Sequence, residues 1–339
     1  MKIALGHKLK SGPWGGGNRF SAALAQALTS RGDQVVYGLN DPDIDLIVMV
    51  DPRARNPNVA FTPGQILRYR LRHPKTLVLH RINECDERKG TRTMNFRLRV
   101  ANSLADHTVF IGHWLRTLEV WHRHSGHSVV LNGADARIFN RNGHVPWSKT
   151  GPIKLVTHHW GAHALKGFDV YERLDSLLDE PKWRGTFAFT YIGNIPKTVR
   201  FRNVRLVSPL DGEDLAQELK RHHAYITASI NEPAGMHHIE GALCGLPLLY
   251  RNSGALPEYC DGFGEMFAGP HDVEESLLRL IDGYDRHLEA LSDYRHSADD
   301  MCANYLALFE ELMGQRDKLI QSRKPLRLLL YWLLTQLPL

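Results

Sequence analysis

Short apolar runs alternate along this chain with stretches in which apolar residues recur every three or four positions. The runs at 2–5, 35–37, 46–50, 76–79, 108–111 and 128–131 have strand length and are mostly apolar. Runs of this kind, separated by helical patterns, predict a parallel sheet buried on both faces, because a half-exposed strand would alternate apolar with polar. Between the first two runs, Phe20, Leu24, Ala27 and Leu28 fall on one helical face, and Gly32 closes that helix. Residues 140–152 are rich in turn formers and prolines and read as a linker. Beyond them the alternation restarts, with strands predicted at 153–157, 187–192, 204–206, 224–227 and 246–250. Helical patterns fall at 168–178, 212–221, 235–244, 272–281 and 294–313. The expectation is an α/β chain of two doubly wound Rossmann-like domains, with a central cleft at the carboxyl ends of their strands. The domains are placed at 1–145 and 150–313, followed by a basic, leucine-rich tail at 314–339.

Composition agrees with this picture and narrows it. A chain of 339 residues suits two cores of roughly 150 residues each. With 43% hydrophobic and 23% charged residues it is globular rather than disordered. The net charge of +5 suits a phosphate-bearing ligand or an anionic surface but is too dilute for a nucleic-acid partner. Four cysteines (Cys85, Cys244, Cys260, Cys302) show neither a disulfide framework nor zinc spacing. The start of the chain lacks the apolar length of a signal peptide, and no stretch reaches the ~18 apolar residues of a membrane span. A cytoplasmic α/β protein is expected.

The strongest local signal is Asn231-Glu-Pro-Ala-Gly-Met-His-His-Ile-Glu-Gly-Ala-Leu-Cys-Gly245, which follows an apolar strand. Pro233 suits a first helical turn, Gly235 permits close approach to the backbone, and Gly245 suits a helix end. A helix N-terminus presents unpaired N–H groups and partial positive charge, which favours phosphate or diphosphate. Glu232 lies just ahead of that terminus and Glu240 about one and a half turns beyond it. Carboxylates accept hydrogen bonds from hydroxyls. A ligand with hydroxyls on both sides of a diphosphate, such as a nucleotide sugar, has the matching shape. Taken alone, the pair also fits a helix cap and a solvated helix residue.

Four segments in order and spacing resemble the retaining glycosyltransferases of family 4, which have the GT-B fold. Glu232-Pro-Ala-Gly-Met-His-His-Ile-Glu240 resembles their E-x7-E motif. Asn132-Gly-Ala-Asp135 with Phe139 resembles the segment closing their N-terminal domain. Lys166-Gly167 resembles their KG after the first strand of the C-terminal domain, and Asn252-Ser-Gly-Ala-Leu-Pro-Glu258 resembles their GG-x-PE loop. The resemblance implies a metal-independent hexosyltransferase with no cofactor, using a UDP- or GDP-type sugar as co-substrate. It assigns Glu232 to donor-sugar hydroxyls, Glu240 to the ribose, and Lys166 to the departing diphosphate. The backbone at Ala234, Gly235 and Met236 would lie against sugar and phosphates. The family's arginine five residues before the lysine is Gly161 here, leaving a histidine or Arg251 as its replacement.

On the N-terminal side, Gly15-Gly16-Gly17-Asn18-Arg19 follows the first strand, and glycines there let backbone N–H groups touch a ligand. The resemblance places Gly16 and Gly17 by the donor phosphates and Asn18 toward the acceptor. His80 ends the run 77–80. It reads either as a hydrogen-bonded strand-end histidine or, by the resemblance, as a group beside the transferring sugar. Arg81, Asn83 and Asp86 open a polar loop read as acceptor-facing or merely solvated. Loops at Asn194 and Pro209 are expected to contact the base. Asp41-Pro-Asp-Ile-Asp45 contains D-x-D, but it precedes a strand and so reads as a turn rather than a metal site. The histidine pairs lack a second ligand pair at zinc spacing. The segment 323–339 joins basic residues to leucines, Tyr331 and Trp332, as surface-lying anchors do; internal packing or a homodimer contact are its other readings. The function expected is transfer of a sugar to a glycan or glycolipid acceptor in cell-envelope synthesis, at the inner face of the membrane. A nucleotide-sugar epimerase or hydrolase and a catalytically silent GT-B partner subunit are the alternatives.

Overall fold

The computed structural model describes residues 1–10, 16–53, 55–123 and 126–323. Two parallel sheets of six strands each form, and the chain divides into two units, 1–132 with 298–339, and 133–297.

The first unit holds β1 (Lys2–Leu5), β2 (Gln34–Val36), β3 (Leu46–Met49), β4 (Leu77–Ile82), β5 (His107–Phe110) and β6 (Gly126–Val129), in the order β2-β1-β3-β4-β5-β6. Its helices are α1 (Gly16–Ser30), α2 (Pro63–Arg72), α3 (Asp86–Lys89) and α4 (Met94–Asn102). One face of the sheet packs Ile3, Leu5, Leu46, Val48, Leu77 and Leu79 against α1. The other packs Ile47, Met49 and Val78 against α2 and the end of α4. Full burial on both faces is why these strands read as uninterrupted apolar runs.

The second unit holds β7 (Ile153–His159), β8 (Phe187–Gly193), β9 (Arg205–Val207), β10 (Ala224–Thr227), β11 (Leu248–Arg251) and β12 (Gly264–Phe267), in the order β12-β11-β10-β7-β8-β9. Between and after them run α5 (Phe168–Leu177), α6 (Gly212–Leu219), α7 (Met236–Leu243), α8 (Leu256–Cys260), α9 (Val273–Asp282) and α10 (Tyr284–Ala290). Sequence order reverses between β7 and β10, the topological switch point beyond which such sheets bind ligands at their carboxyl ends. The corresponding reversal in the first unit lies between β1 and β3.

Two boundaries differ from expectation. Residues 133–145 belong to the second unit: Ala134 N–H donates to His296 O at 3.0 Å, and Lys220 Nζ donates to Asn140 Oδ1 at 3.2 Å. Helix α11 (Ala298–Gly314) belongs to the first unit rather than to a domain ending at 313, because Met301, Cys302, Tyr305, Phe309 and Leu312 complete the core beside α1. Helix α12 (Arg316–Gln321) continues there, with Arg316 Nη2 donating to Asp45 Oδ1 at 2.6 Å. The expected surface anchor at 323–339, apart from Arg323, lies outside the described residues, and no described helix is long and apolar enough to cross a membrane. Strand β12 leaves no clear apolar signature because Glu265 breaks its short run.

Candidate functional site

The switch point of the second unit collects most of the predicted donor-side residues. Strand β10 ends at Thr227, and the chain then runs through a tight loop to Gly235, the N-cap of α7. Pro233 precedes the helix instead of sitting in its first turn. Asn231 takes a left-handed conformation (φ 52°) to turn the loop. The 252–255 loop locks it: Ala255 N–H donates to Glu232 O at 2.9 Å, and Asn231 N–H donates to Ser253 Oγ at 2.8 Å. Gly254 has φ +64°, and a Cβ there would lie 2.4 Å from Glu232 O. The resemblance between 252–258 and the GG-x-PE loop thus has a physical content here: a glycine that lets one loop clasp the backbone of the other.

Gly167 does the same for Lys166. It has φ +85°, and a Cβ would come within 2.0 Å of Ala228 O, so the 166–167 turn sits directly against the end of β10. Ile230 N–H donates to Leu165 O at 2.8 Å across that contact. The result is a buried ion pair: Lys166 Nζ donates to Glu232 Oε2 at 2.8 Å, with both side chains under a tenth exposed. Charges this deeply buried persist only when compensated. Gly241 lets α7 press onto Tyr225, whose ring atoms lie 2.4 Å from a hypothetical Cβ there.

Glu240 is also buried and paired, not a solvated helix residue. His158 Nε2 lies 2.8 Å from Glu240 Oε2, and Tyr225 OH lies 3.1 Å from His158 Nδ1. The His158 ring thus bridges the two side chains, with the Glu240 carboxylate at one nitrogen and the Tyr225 hydroxyl at the other. Beneath this pair, His159 Nε2 lies 2.7 Å from Tyr171 OH, and His237 Nε2 lies 2.7 Å from Thr227 Oγ1. Burial pushes both histidines well below the usual imidazole range. His238 is fully buried, neither of its ring nitrogens has a hydrogen-bond partner among the described residues, and burial pushes it down to about 3. These groups are neutral scaffolding. From sequence, the histidines of 158–163 and 237–238 stand out as metal candidates, and one of the former also as a replacement for the missing arginine. Among the described residues no group of three metal-ligating side chains forms. The available signal for His158 was its position at a strand end opposite the E-x7-E helix.

Other donor-side residues surround this core. Ala234 and Gly235 are buried beside Glu232 and Met236 is half-buried at the first turn of α7. A Cβ on Gly235 would meet the His237 ring at 2.3 Å and the Glu232 carboxyl carbon at 3.3 Å. Asn194 donates its amide to Trp160 O at 2.9 Å, holding the loop after β7. Pro209 is half-buried between β9 and α6. Gly161 packs against the His163 ring, and a Cβ there would lie 3.9 Å from Lys166 Cε. Arg251, named as a replacement for the absent arginine, forms two 3.0 Å bonds to Asp169 instead.

The first-unit candidates are engaged structurally. His80 lies inside β4, not at its end, and is fully buried. Its Nδ1 faces Asn102 Nδ2 at 3.2 Å, and burial pushes it down to about 3. Arg81 is buried too, with Nη2 donating to Asn132 Oδ1 at 2.8 Å and its guanidinium 3.8 Å over the Phe20 ring. Asp86 accepts from Met94 and Asn95 N–H at 2.8 and 2.9 Å, fastening the start of α4. Asn18 exchanges two 2.9 Å bonds with the Lys10 backbone. Gly16 and Gly17 begin α1, whereas Gly15 lies outside the described residues, and Asn83 is half-buried after β4. The Asp41–Asp45 run is a turn, as expected: Lys2 Nζ bridges Asp41 and Asp43 at 3.2 and 2.6 Å.

No family model and no curated protein matches the sequence. Solved structures do. HepE of Anabaena in complex with UDP aligns with a TM-score of 0.65 at 12% identity, over 92% of this chain and 100% of that one. The lipopolysaccharide outer core galactosyltransferase WaaB, in its apo form, gives 0.64 at 14%, over 92% and 100%. Sucrose-phosphate synthase from Thermosynechococcus elongatus gives 0.63 at 13%, over 92% and 99%. Two parallel-sheet Rossmann-like domains, matched over most of the chain by these glycosyltransferases, are the GT-B fold.

Proposed function

We propose that this chain is a retaining, metal-independent hexosyltransferase of the family 4 type. It takes a sugar from a UDP- or GDP-type donor and transfers it to a hydroxyl of a cell-envelope glycan or glycolipid. The observation that carries the reading is the buried Lys166–Glu232 pair at the N-terminus of α7, with Glu240 in the same helix. HepE was solved with UDP and with UDP-glucose, and WaaB is a galactosyltransferase of lipopolysaccharide; both support the donor and acceptor classes.

Donor binding would exchange partners within the pair. Lys166 turns from the carboxylate to the diphosphate, and Glu232 accepts hydrogen bonds from sugar hydroxyls. As the glycosidic bond breaks, negative charge collects on the diphosphate, where Lys166 and the first N–H groups of α7 stabilise it. No nucleophilic side chain is assigned. The acceptor hydroxyl attacks from the face the leaving group vacates and passes its proton to the departing diphosphate oxygen, which retains the configuration. Glu240, held by His158, takes the ribose hydroxyls. The reaction is to be followed with UDP- and GDP-sugars and an envelope glycan acceptor, in the presence of EDTA. Transfer that persists in EDTA, yields the retained anomer and disappears in Lys166→Ala supports the reading. Donor turnover that needs no acceptor identifies a hydrolase or epimerase instead, and donor binding without turnover identifies a silent subunit.

A further inference from the structure

The switch point of the second unit offers a diphosphate little positive charge. Lys166 Nζ is held by Glu232 at 2.8 Å, and Glu240 is a second buried carboxylate, which takes up His158. Burial holds His159 and His237 well below the usual imidazole range and His238 at about 3, so these rings are neutral. Arg251 is held by both oxygens of Asp169. A diphosphate that links a nucleoside to a sugar carries a charge on each phosphate. One shared lysine and the partial charge at the start of α7 do not offset that.

One histidine differs from this buried set. His163 is exposed and sits at the N-cap of the turn Ala164–Lys166, yet its side chain does not cap that turn. Its carbonyl accepts from Lys166 N–H at 2.9 Å, so one short turn carries both residues. The loop is fixed at both ends: Asn194 Nδ2 donates to Trp160 O at 2.9 Å, and Ile230 N–H donates to Leu165 O at 2.8 Å. The missing side chain at 161 leaves room for the ring. A Cβ on Gly161 would lie 3.2 Å from His163 Cδ2, 3.5 Å from His163 Nε2 and 3.9 Å from Lys166 Cε. The imidazole therefore fills the space that a side chain at 161 would enter. It and the lysine stem approach one point, close enough for a single diphosphate to touch both.

We infer that protonated His163 is the second cation of the donor site, binding the diphosphate of the nucleotide sugar beside Lys166. This assignment rests on the donor reading above and adds to it a residue and a pH dependence. Lys166 on the same turn, Glu232 on the loop before α7, His158 and His159 at the end of β7 and His237 on α7 are the titratable groups around it, and all five are buried. His163 is the member of this group that water reaches. Imidazole in water gains its charge below about pH 6.5, and a bound anion favours the charged form. Donor binding is therefore coupled to uptake of a proton at His163.

Calorimetric titration of the full chain with UDP-glucose and with GDP-mannose, at pH 6 and at pH 8, tests this. The parent is expected to bind its donor about tenfold more tightly at pH 6, the scale of one hydrogen bond between charged groups. His163→Gln should bind at both pH values as the parent does at pH 8. Gly161→Arg with His163→Ala puts a permanent cation into the same space and should bind tightly at both. Lys166→Ala should weaken binding at both pH values and keep the difference between them. Melting temperatures equal to the parent's show that the variants are folded; should the double variant misfold, His163→Gln alone decides. The inference is overturned if His163→Gln keeps the parent's pH difference, or if the folded double variant binds no better than His163→Ala. Parent and Lys166→Ala binding alike, or a parent that binds neither nucleotide sugar, would instead remove the donor reading, and this inference with it.

Discussion

At the switch point of the second unit, Lys166, Glu232, His158 and Glu240 converge as buried polar groups, and three glycines (Gly167, Gly254, Gly235) let the loops come close enough to bury them. In the first unit the residues singled out by the same reasoning serve the framework: His80 and Arg81 lie inside a strand, Asp86 fastens a helix, and Asn18 closes a loop. Both regions present histidine, basic and acidic residues near strand ends. Residue type near a strand end therefore does not make a site. A site needs charge that the fold must hold buried where a helix terminus and two strand ends meet.

The largest effect expected from breaking this contrast is at the ion pair. Lys166→Ala takes the paired cation from the buried Glu232 carboxylate, with a loss of about 3–5 kcal/mol in chemical unfolding. Transfer should fall by at least about a hundredfold to a thousandfold, the scale of losing one charge-stabilising group. Lys166→Met with Glu232→Leu should recover much of the stability and none of the transfer, separating the two roles. A variant that retains transfer would end the assignment.

Gly167→Ala comes next. The left-handed backbone alone costs about 1–2 kcal/mol with a side chain, and the 2.0 Å approach to Ala228 O forces the turn away from β10. Urea unfolding should show the loss, and donor binding should weaken because Lys166 moves with the turn. Gly90 is also left-handed, at φ +62°, but its Cβ would meet nothing within 4 Å. Gly90→Ala should show the backbone cost and leave donor binding unchanged.

The pH dependence of stability tests buried neutral histidines in both units. His80 and His238 titrate at about 3 when folded and near 6.5 when unfolded. Above pH 6.5 neither state is protonated at these sites and their contribution is complete. As pH falls toward 3 the unfolded chain takes up protons that the folded chain refuses. Each histidine should then cost about 1.4 kcal/mol per pH unit. Replacing either with leucine should flatten the slope of unfolding free energy between pH 6 and 4. Equal slopes in parent and variants would mean that the folded protein protonates them.

The smallest effect is the most pointed about the first unit. Asp86→Ala should cost about 1 kcal/mol through loss of the bonds that fasten α4, seen as a small fall in melting temperature. Donor and acceptor kinetics should be unchanged. A large rise in acceptor KM would restore Asp86 to the acceptor side.

The alternation of apolar runs was sufficient for the α/β class and for eleven of the twelve strands among the described residues, because burying a parallel sheet on both faces leaves a pattern that needs no distant partner to read. Glu232, Lys166, Gly235 and Gly245 were legible for a similar reason: loop geometry at a helix end is local, and Gly245 does adopt φ +91° after α7. Tertiary structure alone decided the pairing of Glu240 with His158, the diversion of Arg251 to Asp169, and the burial of His80 and Arg81. Each depends on which side chains from far along the chain meet in a low-dielectric interior, where a charge must find its partner or be lost. That choice is made by packing, and spacing in the sequence carries no record of it.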